Sequence, residues 1–251
     1  MKRKSRVRRP KRRLPLVLVN MAMTADGKIA TANRAVSSFG SVRDRQHLLE
    51  LRATADAVMA GARTVDSAAV NLGPGPVRFR RLRRKNGLAE YNLRIVVSGN
   101  GTLNPQAEVF RHRFSPVLVL TTGRTPKDRL RRLRSVADGV KVCGRREIDF
   151  ARALGWLRDQ WGVKRLMCEG GGSLNDALLR ADLVDELHLT ICPGIFGGRD
   201  APTIVDGSGF ASLLDAFPLE IKSFQRVGDE VFMILGRAKW RGEMRKLFTG
   251  G

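Results

Sequence analysis

From Leu14 to Cys192, short runs rich in Val, Ile and Leu alternate with longer segments of helical periodicity. That alternation restricts the fold more than any other feature of the chain. Parallel strands cannot be joined by a tight turn, and the crossover between them is usually a helix. The strand-like runs are 16–21, 56–61, 93–98, 116–121, 140–143, 163–168 and 188–192. Several are apolar on both faces, as strands covered by helices on two sides must be. Helical spacing marks 44–53, 126–134, 149–161 (with Leu154, Leu157 and Trp161 on one stripe) and 173–180. The last two strand-like segments, 221–227 and 231–235, have no helix between them and predict an antiparallel edge pair. The fold class is therefore α/β, a central, mostly parallel sheet flanked by helices with an antiparallel C-terminal edge. The stretch Gly73-Pro74-Gly75-Pro76 and the basic run after it read as a loop ending near Tyr91.

Charge divides the chain. Residues 2–13 hold nine Lys or Arg and no acid, so 1–13 is expected to be a disordered basic tail. Residues 14–240 form the folded domain, and 241–251 a flexible C-terminus. The net charge of +22 also draws on 78–85 and 124–134. Such a surface attracts polyanions through salt-sensitive electrostatics, or simply solubilises the chain. One Tyr and 6% aromatics argue against a stacking platform for single strands. No apolar run approaches the roughly 18–20 residues of a membrane span, and no secretory signal follows the basic start. Three widely spaced cysteines and three histidines form no metal or disulfide pattern. A cytoplasmic setting and no metal are the expectation.

Ligands of open α/β sheets collect at the carboxyl ends of the strands. Four such ends carry informative residues: Gly61–Thr64, Ser98–Gly101, Thr121–Gly123 and Glu169–Ser173. The run Glu169-Gly170-Gly171-Gly172-Ser173 is the strongest. Consecutive glycines let backbone N–H groups approach an anion, and the helix that follows adds its dipole. It matches neither GxGxxG nor GxxxxGK[ST], and without a ligand it would simply be a tight turn. Glu169 stands ahead of it, either as a solvated carboxylate or as one aimed into the cleft. Asp26-Gly27 after the first strand is a turn signal.

Five segments in order, NMAMTADGKIA, the pair Ser37-Ser38, HLLELRATADAVMAGARTV, CEGGGSLNDALL and LVDELHLTICPGIFGG, resemble the reductase family of riboflavin biosynthesis over residues 14–236. The resemblance implies a dihydrofolate-reductase-like fold, a homodimer and NADPH as cofactor. It implies hydride transfer to C1′ of a phosphoribosylamino-pyrimidine in its ring-opened imine form, giving the ribityl chain. By the same resemblance, Gly170, Gly171, Gly172, Ser173 and Leu174 hold the pyrophosphate. Gly61 and Thr64 line the cofactor cleft, Ala22, Thr24 and Asp26 lie near the nicotinamide, and Ser98, Thr121 and Thr122 face the adenosine. Ser38 and Arg52 address the substrate phosphate and Glu169 the pyrimidine, with Asp26, Lys28 and Glu169 as catalytic candidates. Two features depart from the family. The acid expected at Ala68 or Ala69 is missing, and Asp66 would replace it only in a rearranged loop. The arginines of 78–85 are a second source of the arginine expected there. No zinc-deaminase signature occurs, so the chain would reduce without deaminating. The competing readings are a same-fold reductase of a pterin-like substrate and a nucleic-acid-associated protein using the fold as a scaffold.

Overall fold

The computed structural model describes residues 14–34, 39–67, 70–212 and 215–238. The predicted tail and C-terminus, Ser38, Ala68 and Ala69 lie outside them. Nine strands form one sheet: β1 (Leu16–Thr24), β2 (Ala57–Gly61), β3 (Leu93–Val97), β4 (Val117–Thr121), β5 (Gly139–Val142), β6 (Arg165–Cys168), β7 (Glu186–Cys192), β8 (Leu219–Val227) and β9 (Glu230–Arg237). Their order is β5-β4-β3-β2-β6-β1-β7-β9-β8. β1 to β7 run parallel, and β9 pairs antiparallel with both β7 and β8, as the helix-free C-terminal segment predicts.

The helices are α1 (Val42–Arg52), α2 (Ala62–Ser67), α3 (Val77–Lys85), α4 (Glu108–Arg111), α5 (Lys127–Val136), α6 (Phe150–Trp161) and α7 (Gly172–Arg180). Alternate residues of each strand feed different cores. Val17, Val19, Met59, Ile95 and Leu120 pack with Leu154 and Leu157 of α6 and Leu174 and Leu178 of α7. Val58, Ala60, Val96 and Val119 pack with Val65, Phe110 and Leu133 from α2, α4 and α5. Leu18 and Met167 meet Leu51 beneath α1. Helices whose crossovers run toward β5 thus lie on one face and α6 and α7 on the other, as right-handed crossovers require.

Two expectations are corrected. The basic run after the Gly-Pro loop is α3, not loop. Its Arg83 is buried and donates to Arg52 O and Ala55 O at 2.6 Å, satisfying carbonyls at the end of α1. Burial pulls its guanidinium down to about 10. The α6 stripe ends before Trp161, which is 38% exposed against the edge of Trp156. α6 closes at Gly162, whose φ of 67° supplies the left-handed C-cap. No helix of the described residues is long and apolar enough to cross a membrane.

Candidate active site

The ends of β1, β2, β3 and β6 open into one cleft of about 1470 Å³. A pocket for one drug-sized ligand has roughly 300–1,000 Å³, so this cleft has room for two ligands. The glycine turn occupies its middle. Gly170, at φ +72°, accepts from Gly61 N at 2.9 Å, and a Cβ there would meet Met21 Sδ at 2.5 Å. A Cβ on Gly172 would lie 2.6 Å from Thr203 O. A left-handed backbone and Met21 at Gly170, and the Thr203 carbonyl at Gly172, therefore demand glycine at these two positions. α7 has no side-chain cap, which leaves its first N–H groups for an anion. Arg63 Nη2 donates to Ser173 Oγ at 2.9 Å and brings a cation to this spot. The nearby Asp206 carboxylate is engaged by Thr203 N and Oγ1 at 3.0 and 2.7 Å.

Toward β3 the wall consists of Val97 to Asn100, Thr102, Glu147, Ile148 and Phe150. Ser98 Oγ is buried there without a hydrogen-bond partner. Thr121 and Thr122 are buried behind this wall. Their hydroxyls donate to Ser98 O at 2.7 Å and Gly99 O at 2.5 Å, so they brace the turn that faces the cleft.

At the opposite end, Asn20, Ala22, Arg34, Asp44, Leu48 and Glu169 form the wall. Asn20 Oδ1 is buried and unpartnered. Arg52 does not reach the wall. Its Nε and Nη2 clasp both Glu169 oxygens at 2.5 and 2.6 Å, and Nη1 donates to Gly73 O at 2.6 Å. Two predicted substrate ligands are thus bonded to each other: Arg52 orients Glu169, and Glu169 alone faces the cleft. The cation on the wall here is Arg34.

Thr24, Asp26 and Lys28 also stand off the wall. Thr24 Oγ1 donates to Asp26 at 2.5 Å, and Asp26 accepts from Phe196 N and Gly197 N at 3.3 and 2.7 Å. The Thr24 bond, with those amides, holds the Asp26 carboxyl below its usual range. Lys28 Nζ donates to Ala201 O at 3.1 Å. The three fasten the end of β1 to the glycine-rich loop after β7. Asp66 does line the cleft. It accepts from Asn104 N at 3.1 Å, and burial raises its carboxyl. No residue of α3 lines it, so the basic run supplies no arginine to the site. The sequence reading did not single out Asn20, Arg34, Asp44, Glu147, Ile148 or Phe150.

Fold and cleft together define a dihydrofolate-reductase-like α/β domain with one large cleft at its strand ends. The chain belongs to the RibD C-terminal domain family, which matches residues 15–233. It is 36% identical over 219 residues to the 2,5-diamino-6-ribosylamino-4(3H)-pyrimidinone 5′-phosphate reductase of Methanothermobacter thermautotrophicus, covering 87% of this chain and 96% of that one. It is 33% identical to the Aquifex aeolicus protein of the same name, covering 83% and 90%. Among solved structures, a pyrimidine reductase-like protein of Corynebacterium diphtheriae superposes with a TM-score of 0.74 at 23% identity, covering 90% and 92%. RibD of Acinetobacter baumannii gives 0.69 at 18% identity, and the chain spans 58% of its length.

Proposed function

We propose that this protein is a cytoplasmic, NADPH-dependent reductase of 2,5-diamino-6-ribosylamino-4(3H)-pyrimidinone 5′-phosphate, acting in riboflavin biosynthesis. The single observation that carries this reading is the cleft. It joins an uncapped helix N-terminus with an adjacent arginine to a second compartment walled by Glu169, Asn20 and Arg34. The residues fit a dinucleotide. The glycine turn and Arg63 would take its pyrophosphate, and the orphan Ser98 hydroxyl its adenosine half. When bound, the cofactor supplies the hydride. Ala22, small and on the wall of this second compartment, leaves space for the two reacting faces to meet. Glu169, fixed by Arg52, would accept hydrogen bonds from the amino groups of the pyrimidine, with Asn20 beside it. Arg34 would meet the phosphate.

The test is NADPH oxidation at 340 nm by the purified protein given this substrate. The expected result is turnover, together with a thermal shift on NADPH alone. Neither turnover nor a shift at millimolar NADPH would overturn the reading. The deaminated pyrimidine, run in parallel, decides which form is preferred. We also infer a homodimer built on β8, whose Ile221 and Phe224 are 64% and 66% exposed. A monomeric mass by light scattering would exclude it. The basic segment 1–13 would add a salt-dependent affinity for polyanions, removed by deleting it without effect on turnover.

A further inference from the structure

α1 begins at Ser41 with the spacing of a capping box, in which the acid at Asp44 would reach back to the Ser41 N–H. The structure assigns that N–H elsewhere. Glu230, at the start of β9, accepts from Ser41 N at 2.7 Å and Ser41 Oγ at 2.5 Å. Asp44 is released from capping and instead lines the cleft, where the Thr190 side chain hydrogen-bonds it. Thr190 of β7 pairs in register with Ala22 of β1. One turn further along α1, His47 lies over His188, the residue of β7 beside Asn20. The helix therefore tracks the strand pair, and the Asp44 carboxyl sits one strand from Ala22, at its level. Under the reading above, that is the end of the cleft where the hydride is transferred.

We propose that Asp44 is the proton donor of the reaction, delivering its carboxyl proton to the ring oxygen of the ribosylamine substrate. This rests on the function proposed above. The step balances. The proton goes to O4′ as the C1′–O4′ bond breaks, and the lone pair of the glycosidic nitrogen forms the C1′=N bond of an iminium ion. C1′ then accepts the hydride from the nicotinamide nucleotide, the C=N π pair returns to nitrogen, and the open ribityl amine results. Asp44 is left ionised and takes a proton from solvent.

The surroundings favour the protonated carboxyl more than water does. Burial raises it above the usual range, the Thr190 hydrogen bond lowers it in part, and the neighbouring Glu230 charge adds a further, smaller rise. No Lys or Arg among the described residues forms an ion pair with Asp44 or Glu230. Arg43 on α1 is turned to Glu50 at 2.8 Å, and His47 to His188. From β7, the Cys192 thiol, pushed up to about 12, donates to Glu230 at 3.5 Å. Arg34 lies on the same wall.

The test compares pH profiles of kcat for the full-length protein and three variants, with NADPH binding by thermal shift as the folding control. A general acid must be protonated, so activity falls as pH rises through the Asp44 pKa. Asp44→Asn should lower kcat by about 100-fold or more, flatten that basic limb and leave NADPH binding intact. Glu230→Gln removes the charge that raises the carboxyl and should move the limb to lower pH. Thr190→Val removes the bond that lowers it and should move the limb to higher pH. Opposite shifts are something a merely structural pair would not produce. If wild type turns over and Asp44→Asn keeps kcat within threefold with its basic limb, the proton-donor role is overturned alone. Unmoved limbs in both neighbouring variants overturn it as well. If wild type itself shows no turnover, the reductase reading falls and takes this role with it.

Discussion

The two compartments of the cleft are built from different materials. The glycine-turn compartment is made of backbone: φ +72° at Gly170, close approach at Gly172, and the free N–H groups of α7. The α1 compartment is made of side chains that meet across long stretches of chain. Arg52 and Glu169 are 117 residues apart, Ser41 and Glu230 189. Backbone sites tolerate change in surrounding side chains but fail at a single added methyl group. Side-chain sites fail when either partner of a pair is lost.

The largest effect should come from splitting the buried pair. Arg52 and Glu169 side chains are 9% and 10% exposed, so Glu169→Gln leaves a guanidinium without its counter-charge. Removing one partner of such a pair costs about 3–5 kcal/mol. The expected outcome is a matching loss in urea denaturation, with substrate KM raised. A loss below about 1 kcal/mol would mean that water already screens the pair, erasing the contrast between compartments. On the backbone side, Gly170→Ala adds a Cβ against Met21 at a positive φ. Left-handed backbone alone costs about 1–2 kcal/mol for a non-glycine residue. NADPH affinity should drop with it while substrate recognition is unaffected.

The same division decides what the sequence made readable. Local signals carried the parallel sheet, the antiparallel edge and the glycine turn, because a strand period, a missing helix and three glycines are each written in contiguous residues. Long-range pairings were not readable. Arg52 looks like any helix-surface arginine until Glu169 and the Gly73 carbonyl are seen around it. Asp44 looks like a capping acid until Glu230 takes the cap. Arg83 sits in a run that reads as solvated loop, yet it ties α1 to α3. Arg94, in an apolar strand, donates to Val109 O and His112 O, both at 2.7 Å, over the Phe114 ring. The reverse case also arises. Asp26 belongs to a recognisable segment, yet its carboxylate is consumed by the amides of a loop 170 residues away.

A smaller effect separates the two sides by pH. His47 of α1 packs against His188 of β7, and burial lowers both below 6.5. For a base with a depressed folded pKa, the unfolded chain binds the proton first. Stability is therefore full above about 6.5 and is lost as pH falls from there through the folded pKa values. The melting temperature should fall on acidification below 6.5 in wild type and fall less in His188→Gln. Equal slopes would show that the pair is already protonated or solvated. The glycine-turn compartment has no histidine on its wall, so NADPH affinity should change less over the same interval than α1-side stability.

The smallest effect on stability should come from Arg63, the side chain that the backbone compartment adds to its own amides. Arg63 is exposed, and its bond to Ser173 Oγ is a surface contact. Arg63→Ala should change stability by no more than about 0.5 kcal/mol. Its effect on binding should be larger, because a hydrogen bond to a charged group contributes about 1.5–3 kcal/mol, roughly ten- to a hundredfold in Kd. Where the charge acts can be read from the ligand. If Arg63 meets the pyrophosphate beside the α7 N-terminus, NADPH and NADH should weaken by the same factor, and 2′-AMP should be unaffected. If the loss is confined to NADPH, the guanidinium reads the 2′-phosphate instead, and the adenosine half must lie nearer β2 than the Ser98 wall. Unchanged affinity for all three would leave the glycine turn to hold its anion by backbone alone.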